Sequence, residues 1–141
     1  MGRYLLDTDA IIDYLLGIPG SVTLIQEIHE RGDTLCVCDV VIAEVYAGLR
    51  PNHREAAEKL LSACTFLPTS AAIAQQAGAW RYDFARKGVQ LSTTDTLVAA
   101  TAHGNDATVV TGNTKDYPME EITLLPLERA RPKGGGERNA E

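Results

Sequence analysis

Short apolar runs alternating with segments of helical spacing constrain this chain more than any other feature. Arg3–Leu6 (R-Y-L-L), Leu35–Cys38 (L-C-V-C), Thr108–Thr111 (T-V-V-T) and Ile122–Leu125 (I-T-L-L) read as strands. Between them, helical spacing covers Ala10–Leu16, which stops at Gly17-Ile18-Pro19-Gly20, and Ser21–Arg31, with Ser21 as N-cap and Gly32 as stop. It continues over Val40–Leu49, capped by Asp39, then His53–Cys64, Ala71–Lys87 closed by Gly88, and Thr94–His103. Phe66-Leu67-Pro68 is a short apolar piece between two of these helices. Strands joined through helices need crossover connections. The expected fold is therefore α/β, a mostly parallel central sheet flanked by helices on both faces.

At 141 residues the chain has the size of one domain and can bury a core without disulfides. From Glu128 the composition shifts to E-R-A-R-P-K-G-G-G-E-R-N-A-E, so a domain over 1–127 and a flexible polar tail over 128–141 are expected. No apolar run approaches the roughly 20 residues that span a bilayer. Asp7, Asp9 and Asp13 interrupt the early apolar stretch, whose one positive charge is Arg3, so neither a signal peptide nor membrane contact is expected. Cys36 and Cys38 share one face of a strand and, with Cys64, read as reduced thiols. A cytoplasmic protein is expected.

In open α/β sheets, chemistry collects at the carboxyl ends of the strands. Asp7 stands there, in L-L-D-T-D-A-I-I-D. Asp9 lies where a cap for the next helix belongs, Asp7 precedes that position by two, and Asp13 falls on a solvated helix face. Glu44 sits in V-V-I-A-E-V-Y-A-G-L, apolar on nearly all sides, so its helix reads as buried all round. A carboxylate there needs a partner, whether Arg50, a hydrogen-bond network or a metal. Asp95 completes a Ser92-x-x-Asp95 capping spacing, yet also sits in the first turn of a helix at the sheet edge. The small Ala99, Ala100 and Ala102 let that helix pack closely. Asp116 follows the V-V-T strand in G-N-T-K-D-Y-P, where Asn113 can cap a turn.

Four carboxylates at the ends of separate elements suit a hard cation, Mg²⁺ or Mn²⁺, because clustered anions repel unless one is bound. Such an ion activates water for phosphodiester hydrolysis. Zinc fits poorly, since His29, His53 and His103 show no ligand spacing. No G-x-S-x-G, P-loop or G-x-G-x-x-G is present.

L-L-D-T-D-A-I-I-D-Y-L, V-V-I-A-E-V-Y-A-G-L, L-S-T-T-D-T-L-V-A-A-T-A and V-V-T-G-N-T-K-D-Y resemble, in order, the four acidic motifs of PIN-domain ribonucleases. The nearest resemblance is to the VapC-type toxins of bacterial toxin–antitoxin pairs, and it extends from Arg3 to Leu127. It implies a PIN-like fold and a Mg²⁺-dependent endoribonuclease (Mn²⁺ being an alternative ion) that leaves a 5′-phosphate and a 3′-hydroxyl. Asp7, Glu44, Asp95 and Asp116 match the catalytic and metal-binding acids. Asp7 and Asp95 are the expected direct ligands, with Glu44 and Asp116 acting directly or through water. Thr8 and Asn113 match supporting positions, and Asp9 matches one that varies between acidic and hydroxyl residues. Tyr117 stands where the family often has Phe. The resemblance also implies an RNA substrate, a homodimer and a cognate VapB-like antitoxin. That partner's C-terminal segment would lie beside the site and send a cation toward it. Arg81, Arg86, Lys87 and Lys115 are candidate contacts for RNA phosphates.

Two other readings compete. L-L-D7-T-D9-A also has the D-x-D core of haloacid-dehalogenase-like phosphatases, with Asp7 as nucleophile, although no room follows Thr111 for the rest of that site. A non-catalytic protein-binding module is the third. The net charge of −6 at first argues against nucleic acid. Setting aside Asp7, Glu44, Asp95 and Asp116 brings it to −2, so much of the acidity belongs to one proposed site.

Overall fold

A computed structural model describes residues 2–128. Among them, β1 (Arg3–Leu6), β2 (Thr34–Cys38), β3 (Thr65–Leu67), β4 (Thr108–Thr111) and β5 (Thr123–Pro126) form one sheet. Its order is β3-β2-β1-β4-β5, and every neighbouring pair is parallel. The helices are α1 (Thr8–Leu15), α2 (Pro19–Glu30), α3 (Asp39–Gly48), α4 (Arg54–Ser62), α5 (Ala71–Arg86) and α6 (Thr93–Gly104).

Successive residues of a strand point to opposite faces. Leu5 and Leu6 of β1, Cys36 and Val37 of β2, and Val109 and Val110 of β4 are all buried, so the central strands are covered on both faces. Each fully buried Leu or Val contributes about 1.5–3 kcal/mol relative to exposure. Helix α6 packs against α5, α3 and β4, and its Thr96, Ala99, Ala100, Thr101 and Ala102 are buried, as the small side chains predict. No single helix among the described residues is long and apolar enough to cross a membrane.

Several local expectations are corrected. Helix α2 starts at Pro19 rather than Ser21, because proline's fixed φ suits the first helical position. Ser21 is no cap: it is buried, and its hydroxyl donates to the Ala10 carbonyl at 2.6 Å. Gly17, at φ 76°, makes the turn between α1 and α2. Asp39 is the first residue of α3, not its cap, and its Oδ1 accepts from Val40 N and from the Thr69 hydroxyl. The expected helix over His53–Cys64 divides into a 3-10 turn at Pro51–His53 and α4. The piece around Phe66 is the edge strand β3, too short for periodicity to reveal, with Phe66 half exposed.

Asp13 is buried rather than solvated, because α1 is packed by α2 on one side and α3 on another. The three cysteines are free thiols. Burial pushes Cys38 up to about 11 and Cys64 up to about 12, so both stay protonated and unreactive. The expected tail lies outside the described residues except for Glu128, whose carbonyl rests against Gly20 so closely that a Cβ there would collide with it.

Candidate active site

The chain leaves β1 toward β2 on one side, while β4 and β5 occupy the other, so the strand order reverses between β1 and β4. A crevice opens at such a switch point, beyond the carboxyl ends of the strands. Asp7 lies at its floor. Its backbone N–H donates to the Val110 carbonyl at 3.0 Å, carrying the β1–β4 ladder one residue past β1. Asp7 is also the N-cap of α1, its Oδ1 accepting from Thr8 N at 2.7 Å. The cap therefore belongs to Asp7 and not to Asp9, because the helix begins directly where the extended backbone of β1 ends.

Three donors hold the Asp7 carboxylate. Besides Thr8 N on Oδ1, the Thr111 hydroxyl donates to Oδ2 at 3.1 Å and the Tyr117 hydroxyl to Oδ2 at 2.7 Å. Asp7 and Tyr117 are both buried. Desolvation first, and then the Asp7 charge, drive the Tyr117 phenol far above its ordinary value, so it remains a donor. Thr111 and Tyr117 are the site residues that sequence reasoning missed. Thr111 ends a strand and Tyr117 follows Asp116 in an extended loop, and only the folded chain brings them to Asp7.

Asp9, in the first turn of α1, reaches the loop after β4. Its Oδ2 accepts from Gly112 N at 3.1 Å and from Asn113 Nδ2 at 3.0 Å. Asn113 heads the 3-10 turn Thr114–Asp116 but makes no side-chain cap bond there, since its amide is turned to Asp9. That turn carries Asp116 to the crevice.

Glu44 departs from expectation. Val41 and Val45 of α3 are buried, but Ala43 and Glu44 lie on an open side of the helix and are exposed. Apolar neighbours in sequence do not by themselves enclose a side chain, and α3 packs against α1, α6 and β2 while leaving this side free. Glu44 therefore keeps its contact with water, and burial does not force a partner on it. Among the described residues it makes no ion pair with Arg50; its Oε1 accepts from the Thr8 hydroxyl at 2.7 Å.

Asp95 sits in the first turn of α6, where Ser92 Oγ accepts from Asp95 N at 3.0 Å, as the capping spacing predicts. Burial pushes the Asp95 carboxyl up to about 6; hydrogen bonding with Ser92 opposes the rise, and the charges of Asp116, Asp7 and Glu44 add to it.

These residues meet. Asp7, Thr8, Asp9, Ile12, Glu44, Asp95, Asn113 and Asp116 line one cavity of about 360 Å³, with no Lys, Arg or His among them. As placed, no three His, Cys, Asp or Glu side chains among the described residues converge on a single ion position. The donor set nonetheless suits a hydrated hard cation. All the charged atoms are carboxylate oxygens, Mg²⁺ is commonly held by one or two carboxylates plus water, and the mutual repulsion felt at Asp95 is what a cation would relieve.

None of the four basic candidates lines this cavity. The Arg81 guanidinium donates through Nε to the Leu91 carbonyl and through Nη1 to the Thr93 hydroxyl, both at 2.9 Å, tying α5 to the start of α6. Arg86 lies over the Tyr82 ring, and Lys87 over Phe84, beside a different groove that also holds Asp83, Glu120 and Glu121. Lys115 is exposed next to Asp116.

An all-parallel α/β sheet with carboxylates from four elements at its switch point defines a class of acid-lined domain. The family model described as PIN domain matches residues 4–121, and the chain belongs to that family. It is 32% identical over 117 residues to Ribonuclease VapC19 of Mycobacterium tuberculosis, covering 82% of this chain and 92% of that protein. It is 29% identical over 123 residues to Ribonuclease VapC10 of the same organism, covering 87% and 92%. The fold matches that of VapBC2 from Rickettsia felis bound to a DNA fragment from its promoter, with TM-score 0.80, 21% identity and coverage of 89% and 99%. DNA-bound VapBC from Salmonella typhimurium gives a TM-score of 0.78 at 22% identity, with coverage of 89% and 98%.

Proposed function

We propose that this protein is a divalent-metal-dependent endoribonuclease toxin of the VapC type, acting on RNA in the cytoplasm and silenced by a cognate VapB-like antitoxin. One observation carries the reading: Asp7, Glu44, Asp95 and Asp116, drawn from four separate elements, line one cavity that no basic side chain among the described residues enters. The relatives named as VapC ribonucleases, and the solved VapBC complexes of similar fold, support the substrate class and the partner.

In this reading Asp7 and Asp95 hold the cation, Mg²⁺ or Mn²⁺, with Glu44 and Asp116 contacting it directly or through water. When bound, the ion supplies an acidified water and a positive charge against the reacting phosphate. The chain's own residues prepare that site. Three hydrogen bonds hold the Asp7 side chain in place. Thr8 orients Glu44, while Asp9 and Asn113 clamp the loop that presents Asp116. Arg86, Lys87 and Lys115 remain as phosphate contacts, and Arg81 serves as a brace. A homodimer and an antitoxin side chain bringing a cation to the acids complete the reading. The phosphatase alternative is weaker, because no Lys or Arg among the described residues lines the cavity beside Asp7 to hold a phosphate group.

The test is incubation of purified protein with total RNA and Mg²⁺ or Mn²⁺, beside EDTA and Asp95→Asn controls. Cleavage lost in both controls is expected; cleavage that survives either removes the mechanism. Growth arrest on expression that persists in Asp7→Ala and Asp95→Ala variants would instead favour the non-catalytic binding module.

A further inference from the structure

We propose that the Tyr117 hydroxyl is a positioning group that dictates which oxygen of Asp7 faces a divalent cation. The proposal rests on the metal-site reading above and deepens it. A carboxylate offers about four acceptor directions, two on each oxygen. Oδ2 of Asp7 takes two donors, the Tyr117 hydroxyl at 2.7 Å and the Thr111 hydroxyl at 3.1 Å, and is fully engaged. Oδ1 takes one, Thr8 N at 2.7 Å, and so keeps the remaining direction. Oδ1 is therefore the Asp7 oxygen that would be left to hold a cation.

Tyr117 is suited to this task by position. It is 3% exposed, so water does not compete for its hydroxyl. It directly follows the 3-10 turn Thr114–Asp116, and its own N–H donates to the Thr114 carbonyl at 3.0 Å. One residue thus fastens the turn that carries the fourth acid to the carboxylate that is the first. Phenylalanine would fill nearly the same space but would release one direction on Oδ2 and let the carboxylate turn about its Cβ–Cγ bond.

The experiment compares wild type with Tyr117→Phe, without RNA, by Mn²⁺ titration followed by electron paramagnetic resonance of the free ion. Carboxyl ¹³C NMR is recorded on the same metal-free samples. Hydrogen-bond partners of metal ligands typically change affinity by 10–100-fold, so Mn²⁺ binding weaker by about tenfold is expected. The Asp7 ¹³Cγ resonance should move while Glu44 ¹³Cδ stays in place. Unchanged Mn²⁺ affinity overturns the proposal. So does weaker binding with an unmoved Asp7 resonance, since that is the mark of a general packing defect. A wild type that holds Mn²⁺ but cleaves no RNA sinks the ribonuclease reading and leaves the Tyr117 comparison standing. RNA cleavage with Tyr117→Phe equal to wild type in Mn²⁺ binding sinks this proposal alone. A wild type that holds no Mn²⁺ overturns both.

Discussion

The Thr8 hydroxyl donates to Glu44 Oε1 across 2.7 Å, linking the first turn of α1 to the open side of α3. The two residues are 36 apart in sequence, and the bond is what aims an otherwise exposed carboxylate at the crevice. Thr8→Val removes the donor at nearly constant volume, whereas Thr8→Ser keeps it. Because the bond is exposed, unfolding free energy should change by less than about 1 kcal/mol in either variant. RNA cleavage should fall about tenfold in Thr8→Val and recover in Thr8→Ser. Equal cleavage by the two variants would show that Thr8 does not orient Glu44.

Asp9 should matter more for stability than for the ion. Its Oδ2 is the shared acceptor for Gly112 N and Asn113 Nδ2, so Asp9→Ala strands a backbone donor and an amide together. The expected cost is about 1–3 kcal/mol in urea denaturation, with less for Asn113→Ala, which breaks one of the two bonds. Amide exchange at Gly112 should accelerate in Asp9→Ala. A Gly112 amide as protected as in wild type would remove the clamp.

The fold was legible in the chain because its alternation of runs is global. The bounds of β1 and β4 follow from R-Y-L-L and T-V-V-T, and Asp7, Asp95 and Asp116 could be gathered from their places after strands and in a first turn, while Glu44 stood out only by its apolar neighbours. What escaped were facts set by packing at a distance. Glu44 looked buried because its neighbours are apolar, but burial depends on which side of α3 other elements cover. Asp13 looked solvated for the converse reason. Tyr117 meets Asp7 across 110 residues, and no local pattern encodes that contact.

Stability of the metal-free protein should depend on pH through Asp95. Its carboxyl, ordinarily at 3.8, is raised to about 6 in the fold, mainly by burial. The folded state therefore binds the proton more tightly than the unfolded chain. This favourable contribution is fully present below about pH 4 and is lost as pH rises through 6. Asp95→Asn removes the penalty that remains above pH 6. Solvent screening of this partly exposed group reduces the effect to about 1 kcal/mol. Thermal melts in EDTA should show Asp95→Asn above wild type at pH 7.5, with the gap closing near pH 4. A gap that does not depend on pH would mean that the charge of Asp95 is not its source.

Arg81 and Lys115 should separate a brace from a phosphate contact. Arg81 donates to the Leu91 carbonyl and the Thr93 hydroxyl, just before the turn of α6 that carries Asp95. Loss of these bonds in Arg81→Ala should cost about 1 kcal/mol, and Arg81→Lys should not restore it, since an ammonium cannot reproduce the two-armed donation. Lys115 is exposed beside Asp116. Lys115→Ala should leave unfolding unchanged and weaken RNA binding instead. Each cation withdrawn from a single-stranded phosphate lowers the slope of log affinity against log salt by about 0.7. Binding measured with an uncleaved RNA analogue from low to moderate salt should show that drop for Lys115→Ala and none for Arg81→Ala. A reduced slope in Arg81→Ala, with its melting point intact, would return Arg81 to the RNA path and leave the start of α6 to Ser92 alone.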